Sequence, residues 1–210
     1  MSAWLLNAAL FIALIGYYVT WINNPAAALS ANAFDLAEWV GLIPAVRYAE
    51  PPMSAPFALR AALVCLAWLF ALRSAASERL GARIGLGGIA LALAVSLRPP
   101  IAFFRGETAD PNYRQLAALC LIGLIGVGAF IGLGGRGRAR RLWLWLALPI
   151  ALIGGVSAVL GLRGALEALA PLRIPSPLGV GAFLYGIGIS AHAALCFGLI
   201  RRAQKSVLGM

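Results

Sequence analysis

Along the 210 residues, long apolar runs alternate with connections rich in arginine, proline or small polar residues. The runs cover 3–22, 57–72, 84–97, 116–133, 142–162 and 180–200. An α-helix rises about 1.5 Å per residue, so roughly 20 apolar residues cross about 30 Å of hydrocarbon. The first run and the last three meet that length. The second is interrupted by Arg60, and the third has 14 residues before Arg98-Pro99-Pro100, or about 21 Å of helix. Arg60 and Arg83, each near a run's end, can make up the difference by stretching their charged tips toward water. The pattern predicts an all-α, polytopic membrane bundle of about six transmembrane helices in a single domain, 1–210. If 57–97 is a re-entrant hairpin, the count falls to four or five.

The first run also fits a secretory leader, because Ala26-Ala27-Ala28 and Ala31-Asn32-Ala33 offer small-residue cleavage patterns. No positive region precedes it, however, and Trp4 and Trp21 stand near its two ends as interfacial anchors do. It is expected to be a retained span.

Charge distribution tests the count independently. The connections after spans two and four, with the tail after span six, hold Arg73, Arg79, Arg83, Arg136, Arg138, Arg140, Arg141, Arg201, Arg202 and Lys205 against the single acid Glu78. The other three connections hold Arg47, Arg60, Arg98, Arg105, Arg114, Arg163 and Arg173 against Asp35, Glu38, Glu50, Glu107, Asp110 and Glu167. Basic residues in short connections mark the cytoplasmic side. Both termini are therefore expected in the cytoplasm, which requires an even number of spans.

Composition strengthens the membrane reading. Hydrophobic residues make up 62% of the chain and charged ones only 11%, with a mean hydropathy of +0.90. Soluble domains carry roughly 25% charged residues to face water. The net charge of +10 sits between apolar runs and forms no basic stripe, so nucleic acid is not the expected partner. The arginine, alanine, leucine and glycine bias suits a GC-rich bacterial genome and hence a bacterial inner membrane. Cys65, Cys120 and Cys196 lie singly in apolar runs without C-x-x-C spacing, which excludes a zinc framework and favours buried small hydrophobes.

The first long connection, 23–56, carries the clearest local signal. Asn32 can cap a helix with Asp35 reaching back three residues later. Phe34, Leu36, Trp39, Val40 and Ile43 then form an apolar stripe, with Asp35 and Glu38 off it. This predicts a short amphipathic helix over 32–43, lying in the outer headgroup layer or against neighbouring helices. Pro44 and Pro51-Pro52 are expected to stop the helix and favour extended chain. Phe34, Leu36, Trp39 and Ile43 are candidate contacts to lipid or a docking subunit; a lid over the bundle is the plainer role. In the second outer loop Phe103, Phe104 and Arg105 are candidate contacts to lipid phosphates or a partner's acidic groups.

His192 is the chain's one histidine and falls within the last run. Intramembrane imidazoles are candidate functional groups. Gly188 to Ala193 is small enough for a flat macrocycle, so a pigment or haem ligand is one alternative and a transport role another. A helix–helix hydrogen bond is the expected role, and no cofactor is expected. Ser157 and His192 could meet only by tertiary coincidence, and no Asp or Glu falls within a span, so catalysis in the membrane is not expected. The outer acids Asp35, Glu38, Glu50, Glu107 and Asp110 have no evident partners in sequence.

Small residues spaced four apart suggest helix-packing faces: Gly128 with Gly132, Gly81 with Gly85, and Ala182, Gly186 and Ser190. Gly134-Gly135-Arg136-Gly137-Arg138 superficially suggests a phosphate loop but lacks the Lys-Ser/Thr ending and a preceding strand, and reads as a basic turn. Two functional classes remain. A non-catalytic subunit of a larger membrane assembly (transport, electron-transfer or photosynthetic) accounts for the missing chemistry and the elaborated outer loops. A self-contained transporter or channel for a neutral or lipid-like solute is the alternative.

Overall fold

The structure is a computed structural model that describes residues 3–24, 29–132, 139–173 and 176–207. The glycine-arginine turn at 134–138 and the small-residue pattern at 26–28 lie outside the described residues, as do the side chains of Arg140, Arg141 and Lys205. Among the described residues, six helices of sixteen or more residues form the bundle: α1 (Ala3–Tyr18), α4 (Ser54–Ala76), α5 (Leu80–Ser96), α7 (Pro111–Gly132), α8 (Ala139–Leu169) and α9 (Val180–Val207). Four are long and apolar enough to cross a membrane: α4, α7, most of α8 and most of α9. The 16-residue α1 and 17-residue α5 extend only about 24 and 26 Å.

The helices run in alternating directions. Ala3 and Leu199 wall one cavity at one end, whereas Thr20 and Trp21 accept hydrogen bonds from Gly181 and Gly179 at the other. The start of α1 and the last turns of α9 therefore share an end, called here the terminal end. The opposite, cap end carries the short helices α2 (Ala33–Gly41), α3 (Pro44–Arg47) and α6 (Ile101–Phe104).

Helix α4 is the axis. It packs against α1, α2, α5, α7 and α8, and its buried residues lie on every face, from Leu59 and Leu63 to Leu69 and Phe70. A helix apolar all round is stable only when surrounded. The other long helices bury one stripe and leave large apolar side chains outside, including Ile125 on α7, Val159 on α8 and Ile187 on α9. Such an exposed apolar belt is costly in water and at rest in hydrocarbon. This is a helical membrane protein.

Close packing uses glycines different from those the spacing suggested. A Cβ on Gly81, Gly85, Gly128, Gly132 or Gly186 would meet nothing within 4 Å, so these glycines mark no close helix contact among the described residues, and Ser190 is exposed. By contrast with those glycines, Gly16 abuts the backbone of Leu184 and Tyr185, and Gly188 abuts that of Ala9 and Ala13, bringing α1 and α9 together, while Ala182 packs against the core. Gly161 abuts Leu59, where a Cβ would lie 2.7 Å from the backbone nitrogen, and Gly164 abuts Ala55, bringing α8 onto α4. Four-residue spacing puts small residues on one face; helix rotation decides whether that face meets another helix.

Two further expectations are corrected near Trp21. Helix α1 stops at Tyr18, short of residue 22, and Ile22–Asn24 (β1) pairs antiparallel with Leu29–Ala31 (β2). Trp21 is no interfacial anchor: it is buried, donates from Nε1 to the Gly16 carbonyl at 2.8 Å, and packs against Tyr17 and Tyr185.

Candidate functional site

At the cap end, α2 begins as its sequence suggests. The Asn32 Oδ1 accepts the Asp35 backbone N–H at 2.9 Å, and the Asn32 amide donates to the Asp35 carboxylate at 2.7 Å. The helix ends at Gly41, and Pro44 opens the next turn, α3, rather than an extended segment, since proline's missing N–H is harmless in a first helical turn. The buried face of α2 is Ala33, Leu36, Ala37, Val40 and Gly41, laid against α4 and α8. Small residues at three of these five positions let α2 settle into the bundle, so its apolar stripe meets protein. Leu36 is consequently unavailable to any partner, Phe34 and Ile43 are half-buried, and Trp39 stands 50% exposed.

This placement carries Glu38 to Arg60. Far from reaching water, Arg60 is 0% exposed, because α4 is enclosed on all sides and its side chain has no route out. Partners converge on it instead. One terminal nitrogen donates to the Gln115 Oε1 at 2.7 Å; the other donates to the Glu38 Oε1 at 2.6 Å and the Asn112 Oδ1 at 2.7 Å. The Asn112 amide donates to the second Glu38 oxygen at 3.3 Å, and the Gln115 amide to the Met53 carbonyl at 3.2 Å. Beside this cluster Asp110 accepts the Asn112 backbone N–H at 2.8 Å at the head of α7 and pairs with Arg47 of α3 at 2.5 Å. Glu38 and Asp110, without evident partners in the sequence, are thus both committed to ion pairs.

The arrangement ties α2, α3, α4 and α7 into one charge-assisted network. Charged hydrogen bonds of this kind are stronger than neutral ones, and they offset the cost of taking a guanidinium from water. Both Glu38 oxygens accept hydrogen bonds, one from Arg60 and one from Asn112. Among the described residues the buried Arg60 Nε has no partner. Chemically the site is a clasp. Pairings 22 and 52 residues apart left little trace in the sequence; the available signal was Asn112 and Gln115, three apart on one face at the head of an apolar run, opposite a lone intramembrane arginine.

The second polar centre lies toward the terminal end. His192 is fully buried, with Nδ1 3.2 Å from the Leu6 carbonyl oxygen. A carbonyl can only accept, so Nδ1 carries the proton, and among the described residues Nε2 has no partner. The small surface at Gly188 is filled by the α1 backbone, so a macrocycle on His192 would have to part α1 from α9. Nearby Arg73 is buried, donating from Nε to the Asn7 Oδ1 at 2.9 Å and from Nη2 to the Ala3 carbonyl at 3.4 Å, with its guanidinium 4.9 Å from the Trp143 ring centre. A cavity of about 490 Å³ opens beside it. A third feature is an apolar groove of about 410 Å³ between α8 and α9, floored by Tyr185 and Ala158.

The remaining candidates are on the surface. Phe104 is 73% exposed at the end of α6, Phe103 stacks edge-on against it at 5.4 Å, and Arg105 is exposed. Among the described residues no group of three His, Cys, Asp or Glu side chains could hold a metal ion. No protein family, characterised protein or solved structure matches this chain.

Proposed function

We propose that the chain is a non-catalytic integral membrane subunit whose clasped cap docks a partner subunit. In this reading six helices cross a bacterial inner membrane, the terminal end faces the cytoplasm and the cap faces outward, as the arginine distribution suggests. The observation that carries it is the clasp. A wholly buried arginine held by Glu38, Asn112 and Gln115 makes the cap a rigid extension of α4, and the cap presents Trp39, Leu42 and Tyr48 outward, the last 75% exposed. Rigid aromatic anchors lose little entropy on binding and dominate interfaces. A partner here is another membrane subunit, because Ile101 and Phe104 expose further apolar surface at the same end.

Extraction in mild detergent with an affinity tag tests this. The wild-type chain is expected to retain a defined partner at fixed stoichiometry, and Trp39→Ala with Tyr48→Ala to release it while the bundle stays folded. Recovery as a homo-oligomer alone favours the second reading, a self-contained carrier of a neutral or lipid-like solute, for which the α8–α9 groove supplies an apolar path.

A further inference from the structure

The two buried arginines differ in a way that points to a ligand. Arg60 has Glu38 as its counter-ion at 2.6 Å. Arg73 is nearly as buried, at 4% exposure, yet among the described residues no carboxylate pairs with it. Its two acceptors are both neutral, the Asn7 amide oxygen and the Ala3 carbonyl. The Trp143 ring helps to hold the cation, but ring attraction is a small fraction of what a desolvated charge loses. Among the described residues Nη1 has no acceptor, and Arg73 forms part of the wall of the 490 Å³ cavity. A buried cation with no carboxylate partner among the described residues, set beside an open cavity, favours an anion in that cavity.

The walls narrow the chemistry. Trp4, 64% exposed, and Trp143 give the cavity an apolar, aromatic side, suited to the glycerol and first methylenes of a lipid. Glu78 and Arg79, of opposite charge, also line the cavity. Basic pockets between membrane helices recognise phosphate headgroups, and planar guanidinium matches phosphate oxygens in pairs. We infer that the cavity bounded by Arg73, Asn7, Trp4 and Trp143 binds the phosphate of an anionic phospholipid headgroup.

Native mass spectrometry of the purified full chain in mild detergent, titrated with phosphatidylglycerol, phosphatidylcholine or inorganic phosphate, tests this. Phosphatidylglycerol is expected to bind saturably and about tenfold more tightly than phosphatidylcholine, a difference of about 1.4 kcal/mol. Arg73→Gln should abolish that preference, whereas Arg201→Gln, outside the cavity, should leave it intact. Should Arg73→Gln fail to fold, Ala76→Phe fills the cavity while keeping the charge and should abolish the preference as well. Equal binding of the two lipids, or a preference that survives both cavity variants, overturns the inference. Inorganic phosphate binding as tightly as phosphatidylglycerol overturns the lipid source in favour of a soluble anion.

Discussion

Glu38→Gln removes the anion opposite a guanidinium that has no access to solvent, while keeping nearly the same shape. Arg60 would retain Asn112 and Gln115 as neutral acceptors, but its charge would lose its counter-ion. Breaking a buried pair by removing one partner costs about 3–5 kcal/mol. The Glu38 side chain is 37% exposed, so part of its charge is already screened, and the Gln amide can still accept one hydrogen bond. The expected loss is therefore about 2–3 kcal/mol. Arg60→Met should cost a similar amount, because it leaves Glu38, Asn112 and Gln115 short of donors. The double variant removes both charges together, and its loss should fall about 1–2 kcal/mol short of the sum of the single losses. Unfolding in mixed detergent, followed by tryptophan fluorescence and far-ultraviolet circular dichroism, gives the free energies. Amide hydrogen exchange gives the location: in Glu38→Gln, residues 33–41 should exchange faster while the core of α4 stays protected. If Glu38→Gln changes stability by less than about 0.5 kcal/mol and the cycle shows no coupling, the clasp does not hold the cap.

Other outcomes follow from the packing. Gly188→Leu drives a side chain into the α1 backbone and should cost more than about 3 kcal/mol, whereas Gly128→Leu, facing open space, should stay within about 0.5 kcal/mol when measured by the same unfolding assay. His192→Gln can donate to the Leu6 carbonyl in place of Nδ1 and should preserve expression, with a loss near 1 kcal/mol; the disappearance of a visible absorption band on that substitution would reassign the imidazole as a ligand. An introduced cysteine at residue 107 should label from outside intact cells, and one at residue 205 should not; the reverse pattern inverts the proposed orientation.

Solvent and scaffold were both written in the order of the residues. So much apolar composition with so few charges points to a lipid surround, and the apolar runs mark the six long helices among the described residues, four of them long and apolar enough to cross a membrane, because a hydrogen-bonded helix is how backbone survives in hydrocarbon. The cap helix was legible too, since capping is local: Asn32 and Asp35 are three residues apart and need no tertiary help. The limits of α1 were less legible, because hydropathy cannot distinguish a last helical turn from an apolar strand, and Thr20, Trp21 and Ile22 suit either. Pairings across the bundle emerge from the packing of the helices. Which stripe of α2 turns inward depends on where Ala33, Ala37 and Gly41 find room. Which glycines matter depends on the rotation of α8 and α9 rather than on their spacing. Whether an intramembrane arginine reaches water depends on whether its helix is central or peripheral, and Arg60 sits on the one helix enclosed on all sides. Sequence records the chemistry each side chain brings, whereas the fate of a buried charge depends on its neighbours in space, and those of Arg60 lie 22, 52 and 55 residues away.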